Sequence, residues 1–163
     1  MAEAWETAQD PAAVHALLCT SDRHQAQRYG SAAPDRRVES TRRKVAAGMV
    51  RVLSFDGVPV GMFTLGAEPT FDLAEAELPP ARSPLYLSRL AVSPEVLSRG
   101  VGMRCVRKAI ELARAAGADV LRSEANPELT GTYELLGELG FVQHGPLLRN
   151  GSGVPRIHLQ RPL

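Results

Sequence analysis

With 163 residues, 44% of them apolar, the chain has the length and the core material of one domain, residues 1–163, and calls for no second one. A formal charge of +1, with the arginines spread along the chain, argues against a protein that coats nucleic acid through a general positive surface. The opening MAEAWETAQD has acids where a secretory leader has bases, and no apolar run approaches a membrane span, so a cytoplasmic protein without a membrane partner is expected.

In chain order, residues up to Thr7 suit a short first strand with Trp5 as a packing residue. Asp10 and Pro11 supply the N-cap and first position of a helix that reads through Leu18 on Val14, Leu17 and Leu18. Thr20 to Arg37 is polar, is interrupted by Gly30 and Pro34, and reads as a mobile connector with at most a helical turn. A second helix is expected from Val38 to Ala47, closed by Gly48. Its basic run, Arg42 to Lys44, reads either as a solvated face or as a contact for phosphate or an acidic partner.

Met49 to Phe55 and Val58 to Leu65 are apolar strands on either side of Asp56-Gly57, a dipeptide typical of tight hairpin turns. Ala67 to Pro84 is an excursion containing Pro69, Pro79, Pro80, Asp72, Glu75 and Glu77. It is either a lid whose carboxylates attract a cationic ligand or an exposed loop that they keep soluble. Leu85 to Val92, LYLSRLAV, has the mixed pattern of a central strand covered on both sides. The loop SPEVLSRGVG follows, and then Val106, Ile110 and Ala113 mark the buried stripe of a helix closed by Gly117. At this junction Arg99, Gly100, Val101 and Gly102 put two positions without side chains where a helix opens and its N–H groups lack partners. That arrangement is an anion cradle. It lacks the Gly-Lys-Ser/Thr ending of a Walker loop and the three glycines of a dinucleotide fingerprint.

Val120 to Ala125 reads as a fifth strand, and Asn126, Pro127 and Glu128 open a helix with Leu129, Tyr133, Leu136 and Gly140 on one face. Phe141 to His144 and Arg156 to Leu159 are two closing strands around the turn-rich GPLLRNGSGVP. Of the two cysteines, Cys105 falls in the apolar stripe of a helix, where a small buried hydrophobe is expected, and a reducing compartment suits both. His15, His24, His144 and His158 are scattered, with no paired helical spacing and no cysteine cluster beside them, so no metal is expected.

The succession LAV, SPE, SRGVG and helix resembles the acyl-CoA-binding core of the GCN5-related N-acetyltransferases, the GNAT family. That motif runs Arg or Gln, two free positions, Gly, one free position, then Gly or Ala. Arg99 and Gly102 take the first two fixed places, Gly100 is a common choice at the second position, and Arg104 stands where the family is normally small. A second resemblance lies in an Asn shortly before a helix that carries a Tyr and ends in Leu-Gly-Phe. Tyr133 follows Asn126 at the usual interval, but Leu136 takes the place before Gly140 where the tyrosine usually lies, as if the helix carried an extra turn. The resemblance covers Met49 onward and is strongest from Leu85 to Phe141.

What the resemblance implies is an α/β (α+β) fold with a mixed, mostly antiparallel twisted sheet of about six or seven strands and helices on both faces. It implies an N-acetyltransferase that moves an acetyl group from acetyl-CoA, its co-substrate, to a primary amine by direct attack. The alternative is a non-catalytic acyl-CoA-binding or regulatory domain of the same fold. By resemblance, the backbone of Leu90, Ala91 and Val92 meets the pantetheine arm and the thioester carbonyl. The amides of Arg99, Gly100, Val101, Gly102, Met103 and Arg104 hold the pyrophosphate, Asn126 contacts the pantetheine, and Tyr133 protonates the departing thiolate. The Arg104 side chain either reaches the phosphates or points to solvent. Members often carry a carboxylate base on the fourth strand, where this chain has Ser88 and Arg89. The nearest candidate base is Glu124, on one face with Arg122 and Asn126, and a salt bridge to an arginine is its alternative role. No Ser–His or Cys–His constellation is spaced for an acyl-enzyme. The expected partner is a small-molecule or peptide amine, nucleic acid is not expected, and a homodimer is left open.

Overall fold

A computed structural model describes every residue except Asn150 and Ser152, so that part of the expected GPLLRNGSGVP turn lies outside the described residues. The elements run β1 (Glu3–Thr7), α1 (Pro11–Tyr29), α2 (Val38–Ala46), β2 (Val50–Phe55), β3 (Val58–Gly66), α3 (Leu73–Ala76) and β4 (Pro84–Val92). They continue with α4 (Val101–Ala115), β5 (Val120–Ala125), α5 (Thr130–Glu138), β6 (Val142–Arg149) and β7 (Pro155–Pro162). The strands form one mixed sheet in the order β1-β2-β3-β4-β5-β7-β6. β4 and β5 are parallel, and α4 is the crossover such neighbours need. The pairs β1–β2, β2–β3, β5–β7 and β6–β7 are antiparallel, as expected of a mostly antiparallel sheet. No helix among the described residues is long and apolar enough to cross a membrane.

Local chemistry accounts for the main elements. Asp10 caps α1 by accepting from the N–H groups of Ala12 and Ala13, with Pro11 at the first helical position. Asp56 and Gly57 both take positive φ, 49° and 81°, which is the backbone a two-residue hairpin turn requires. Four sequence expectations are corrected. α1 runs to Tyr29 instead of stopping near Leu18, because Thr20–Tyr29, though polar, contains no breaker before Gly30, which ends the helix at φ 66°. The acidic excursion holds the one-turn α3, capped by Asp72, whose carboxylate accepts from Ala74 and Glu75. α5 starts at Thr130, because Asn126 first makes a turn of its own, its Oδ1 accepting from the Glu128 N–H at 3.0 Å. β6 extends through Pro146 and Leu147 to Arg149, with a register shift between His144 and Leu148 against β7.

The chain divides into two compact units, Met1–Leu65 with Arg89–Cys105 and Gly66–Ser88 with Val106–Leu163. In the first, Val14, Leu17 and Leu18 of α1 are buried with Val50, Val52 and Met62 of the β2–β3 hairpin, and Val45 of α2 packs against them. Gly61 of β3 is where α4 begins: a Cβ there would stand 2.7 Å from Val101 Cγ1 and 2.8 Å from Cys105 Sγ, so the helix start rests directly on strand backbone. In the second, Tyr86, Leu87, Leu121, Leu136, Ile157 and Leu159 are all fully or almost fully buried. Gly145 of β6 does for α3 what Gly61 does for α4, since a Cβ there would lie 2.3 Å from the Ala76 carbonyl oxygen.

Candidate active site

The first unit contains Arg99 to Arg104, the stretch expected to form the cradle. Ser98 and Gly100 take φ of 71° and 72°, folding the chain back so that α4 opens at Val101. The Arg99 N–H donates to the Val96 carbonyl at 3.3 Å, and the Arg104 N–H makes the first helical bond, to the Gly100 carbonyl at 3.1 Å. The amides of Gly100 to Met103 lie between those two, in the stretch where a helix start leaves donors over.

The two arginine side chains of the cradle turn to β1 and β2. Arg104, at the position where the family is normally small, takes neither of its expected courses. Its guanidinium grips the Glu3 carboxylate through both terminal nitrogens, Nη1 at 2.9 Å from Oε1, and lies over the Phe55 ring. The paired guanidinium holds the Glu3 carboxyl below the usual carboxylate range, and Glu3 in turn raises the arginine. Arg99 lies over the same ring, 5.3 Å from its centroid.

β4 changes character halfway along. Its parallel register with β5 runs from Pro84↔Val120 to Leu87↔Ser123. Arg89 then takes φ 53°, left-handed backbone rare for a side-chain-bearing residue in a strand. Beyond it come Leu90, Ala91 and Val92, of which Ala91 is buried. The Val92 N–H is already held, donating to the buried Ser21 hydroxyl of α1 at 3.3 Å, and the Ser93 N–H donates to the Val60 carbonyl. Nothing local marks Ser21 in the sequence, since it lies in the polar second half of α1, where a connector is expected.

A polar chain runs behind this strand. Arg89 donates to Thr41 Oγ1 at 2.9 Å and to Ser40 Oγ at 3.0 Å, Thr41 Oγ1 lies 2.7 Å from His15 Nδ1, and His15 Nε2 lies 3.5 Å from Cys19 Sγ. His15 and Cys19 are one helical turn apart on α1, so the helix brings a Cys–His pair together there. Cys105 is buried as expected, and burial pushes its thiol up to about 12.

The second unit holds the other expected residues. Glu124 is paired, and the arginine beside it is Arg156, with His158 as a second partner. Oε2 accepts from His158 Nε2 at 2.8 Å, and Oε1 lies 3.7 Å from Arg156 Nε. The cause is register: Glu124 stands opposite His158 in the β5–β7 ladder. Arg122 is spent elsewhere, on Gln160 Oε1, Tyr86 Oη and the Pro79 carbonyl. His158 is 2% exposed, with the Phe71 ring 4.6 Å from its own. The excursion is therefore pinned to this unit through Phe71 and Pro79, while its Asp72, Glu75 and Glu77 are exposed. Asn126 is buried, and Tyr133 stands on α5 with 38% of its surface exposed. Among the described residues no group of three or more His, Cys, Asp or Glu comes together.

A strand that runs into the open first turn of a glycine-flanked helix is the architecture of a protein that meets a phosphorylated ligand with backbone amides. The model of the acetyltransferase (GNAT) family matches residues 12–141, and the chain belongs to that family. Its activity is acetyl transfer to an amine with acetyl-CoA as co-substrate. Solved structures share the fold. A GNAT-family acetyltransferase of Streptococcus agalactiae 2603 is 18% identical over 99% of this chain and 95% of its own, with a TM-score of 0.78. The ribosomal-protein-alanine N-acetyltransferase of Brucella melitensis is 19% identical over 98% and 99%, at 0.68. A chain from the NatC complex bound to Gag peptide and CoA is 15% identical over 100% and 99%, at 0.77. No curated protein matches this chain.

Proposed function

We propose that residues 1–163 work as one acetyltransferase domain in which a primary amine, of a small molecule or a peptide, attacks the acetyl thioester directly. The observation that carries this reading is the start of α4, where Gly100 at φ 72° and the first-turn amides leave donors for a pyrophosphate. Arg99 and Arg104 have their own N–H groups engaged, so the pyrophosphate falls to Gly100, Val101, Gly102 and Met103. The Leu90 N–H polarises the thioester carbonyl, Ala91 and Val92 flank the pantetheine, and Asn126 contacts it. In the reaction the amine nitrogen bonds to the carbonyl carbon, the carbon–sulfur bond breaks, Tyr133 gives its phenolic proton to the sulfur, and the amine loses one proton.

Glu124 is the acceptor proposed for that proton, since its side chain is partly open to solvent while His158 and Arg156 fix it. The same two partners support a second reading, in which Glu124 joins β5 to β7 and water takes the proton. Glu124→Gln separates them: a large fall in kcat with unchanged melting assigns the base, and a fall in stability with normal kcat assigns the joint. The central test is release of CoA thiol from acetyl-CoA with a panel of amines and peptides. Tight acetyl-CoA binding with no turnover of any of them would favour a non-catalytic sensor.

A further inference from the structure

We infer that the acceptor amine also carries a carboxylate, and that Arg89 of β4 is the residue that holds it. The inference deepens the transferase reading above and rests on it. Arg89 has five N–H donors, and the two bonds it makes among the described residues both end on hydroxyls, those of Thr41 and Ser40, so its charge meets neutral acceptors. The acid whose field bears on it most, Asp22, is engaged by Arg36 through bonds of 2.8 and 3.3 Å. Arg36 and Arg43 add positive potential at this site. A half-buried guanidinium in that setting is costly unless an anion completes it. Burial, and then Arg36, accordingly push Arg89 below the usual arginine range.

The group is also held in place for such a task. Thr41 is 1% exposed, and its hydroxyl can accept from Arg89 while donating to His15 Nδ1, which fixes the rotor; with one bond each on Nη1 and Nη2, three of the five N–H donors have no partner among the described residues. Left-handed backbone at Arg89, φ 53°, is tolerated only where surrounding contacts over-determine a position. The next residue is Leu90, assigned above to the thioester, so an amine reaching the acetyl group arrives beside this cation. A planar fork selects a carboxylate, which it can take with two parallel hydrogen bonds.

Calorimetry on the CoA-saturated protein tests this without turnover, using N-acetylglycine, N-acetyl-4-aminobutanoate and N-acetylglutamate, each against its neutral amide. At least one acid should bind about 10–100-fold more tightly than its amide, and Arg89→Gln should erase the difference. CoA binding by the variant shows that it is folded. A preference with N-acetylglycine assigns an α-carboxylate, and one confined to the longer acids assigns a remote carboxylate. If no acid outbinds its amide in the wild type, or if the preference survives in Arg89→Gln, the inference is wrong. The wild-type comparison decides alone should the variant not fold. Turnover of uncharged amines with no preference for acids sinks this inference and spares the transferase reading, whereas carboxylate-selective binding with no turnover of any amine does the reverse.

Discussion

If the proposed cradle at the start of α4 takes the pyrophosphate, a branched side chain at Gly102 should block the approach of phosphate to the first-turn amides. Gly102→Val is expected to fold, by circular dichroism, and to lose acetyl-CoA binding in calorimetry; unchanged affinity in a folded variant would remove the cradle from the mechanism. Tyr133→Phe deletes one hydroxyl from an exposed ring, and if the phenol delivers the thiolate's proton, kcat should fall about 10²–10⁴-fold with little change in cofactor affinity. A wild-type rate where chemistry is limiting would make Tyr133 a surface residue and water the acid. The opening of α4 was legible in the sequence because the turn before it, with Gly100 at φ 72°, is a local backbone requirement. Arg89 and Glu124 were less so. Their partners, Ser40 and Thr41 for one and Arg156 and His158 for the other, lie tens of residues away in sequence, and only strand register and helix docking select them.

Among the elements, α4 depends on the bare backbone of β3. Gly61→Ala would put a methyl within 2.8 Å of both Val101 and Cys105, so a loss of about 1–3 kcal/mol is expected in denaturant melts, together with weaker acetyl-CoA binding as the helix start shifts. Retained stability and affinity would mean that α4 relaxes at no cost. Asp119, ahead of β5, accepts from the N–H groups of Arg82 and Ser83 at 2.8 and 3.0 Å and so ties down the end of the excursion. These bonds hold its carboxyl below the usual carboxylate range. A depressed folded pKa means that the stabilisation is present above the unfolded value and is lost as pH falls through the folded one. Asp119→Asn should therefore melt earlier than wild type near neutral pH, and the gap should close below pH 3.8. A gap that persists in acid would show that the charge is not its source. The second half of α1 was illegible because its residues are polar nearly all round and only Val14, Leu17, Leu18 and Ser21 of the whole helix are buried.

For the molecule as a whole, the alternation of strands and helices from Met49 onward could be read in advance. Asp56-Gly57, the LYLSRLAV strand and the long apolar stripe of α4 each announce themselves within a few residues. The sheet order could not be read from local periodicity, since the insertion of β7 between β5 and β6 is a matter of long-range pairing. One consequence concerns sulfur. Cys105 lies against β3 with its thiol raised to about 12, whereas Cys19 is only half-buried beside His15. A thiol-reactive dye should thus add once to the native chain and twice after denaturation, as intact mass would record. Adduct number becomes a gauge of whether α4 is seated, and any colorimetric assay of freed CoA must first subtract the single equivalent that Cys19 contributes.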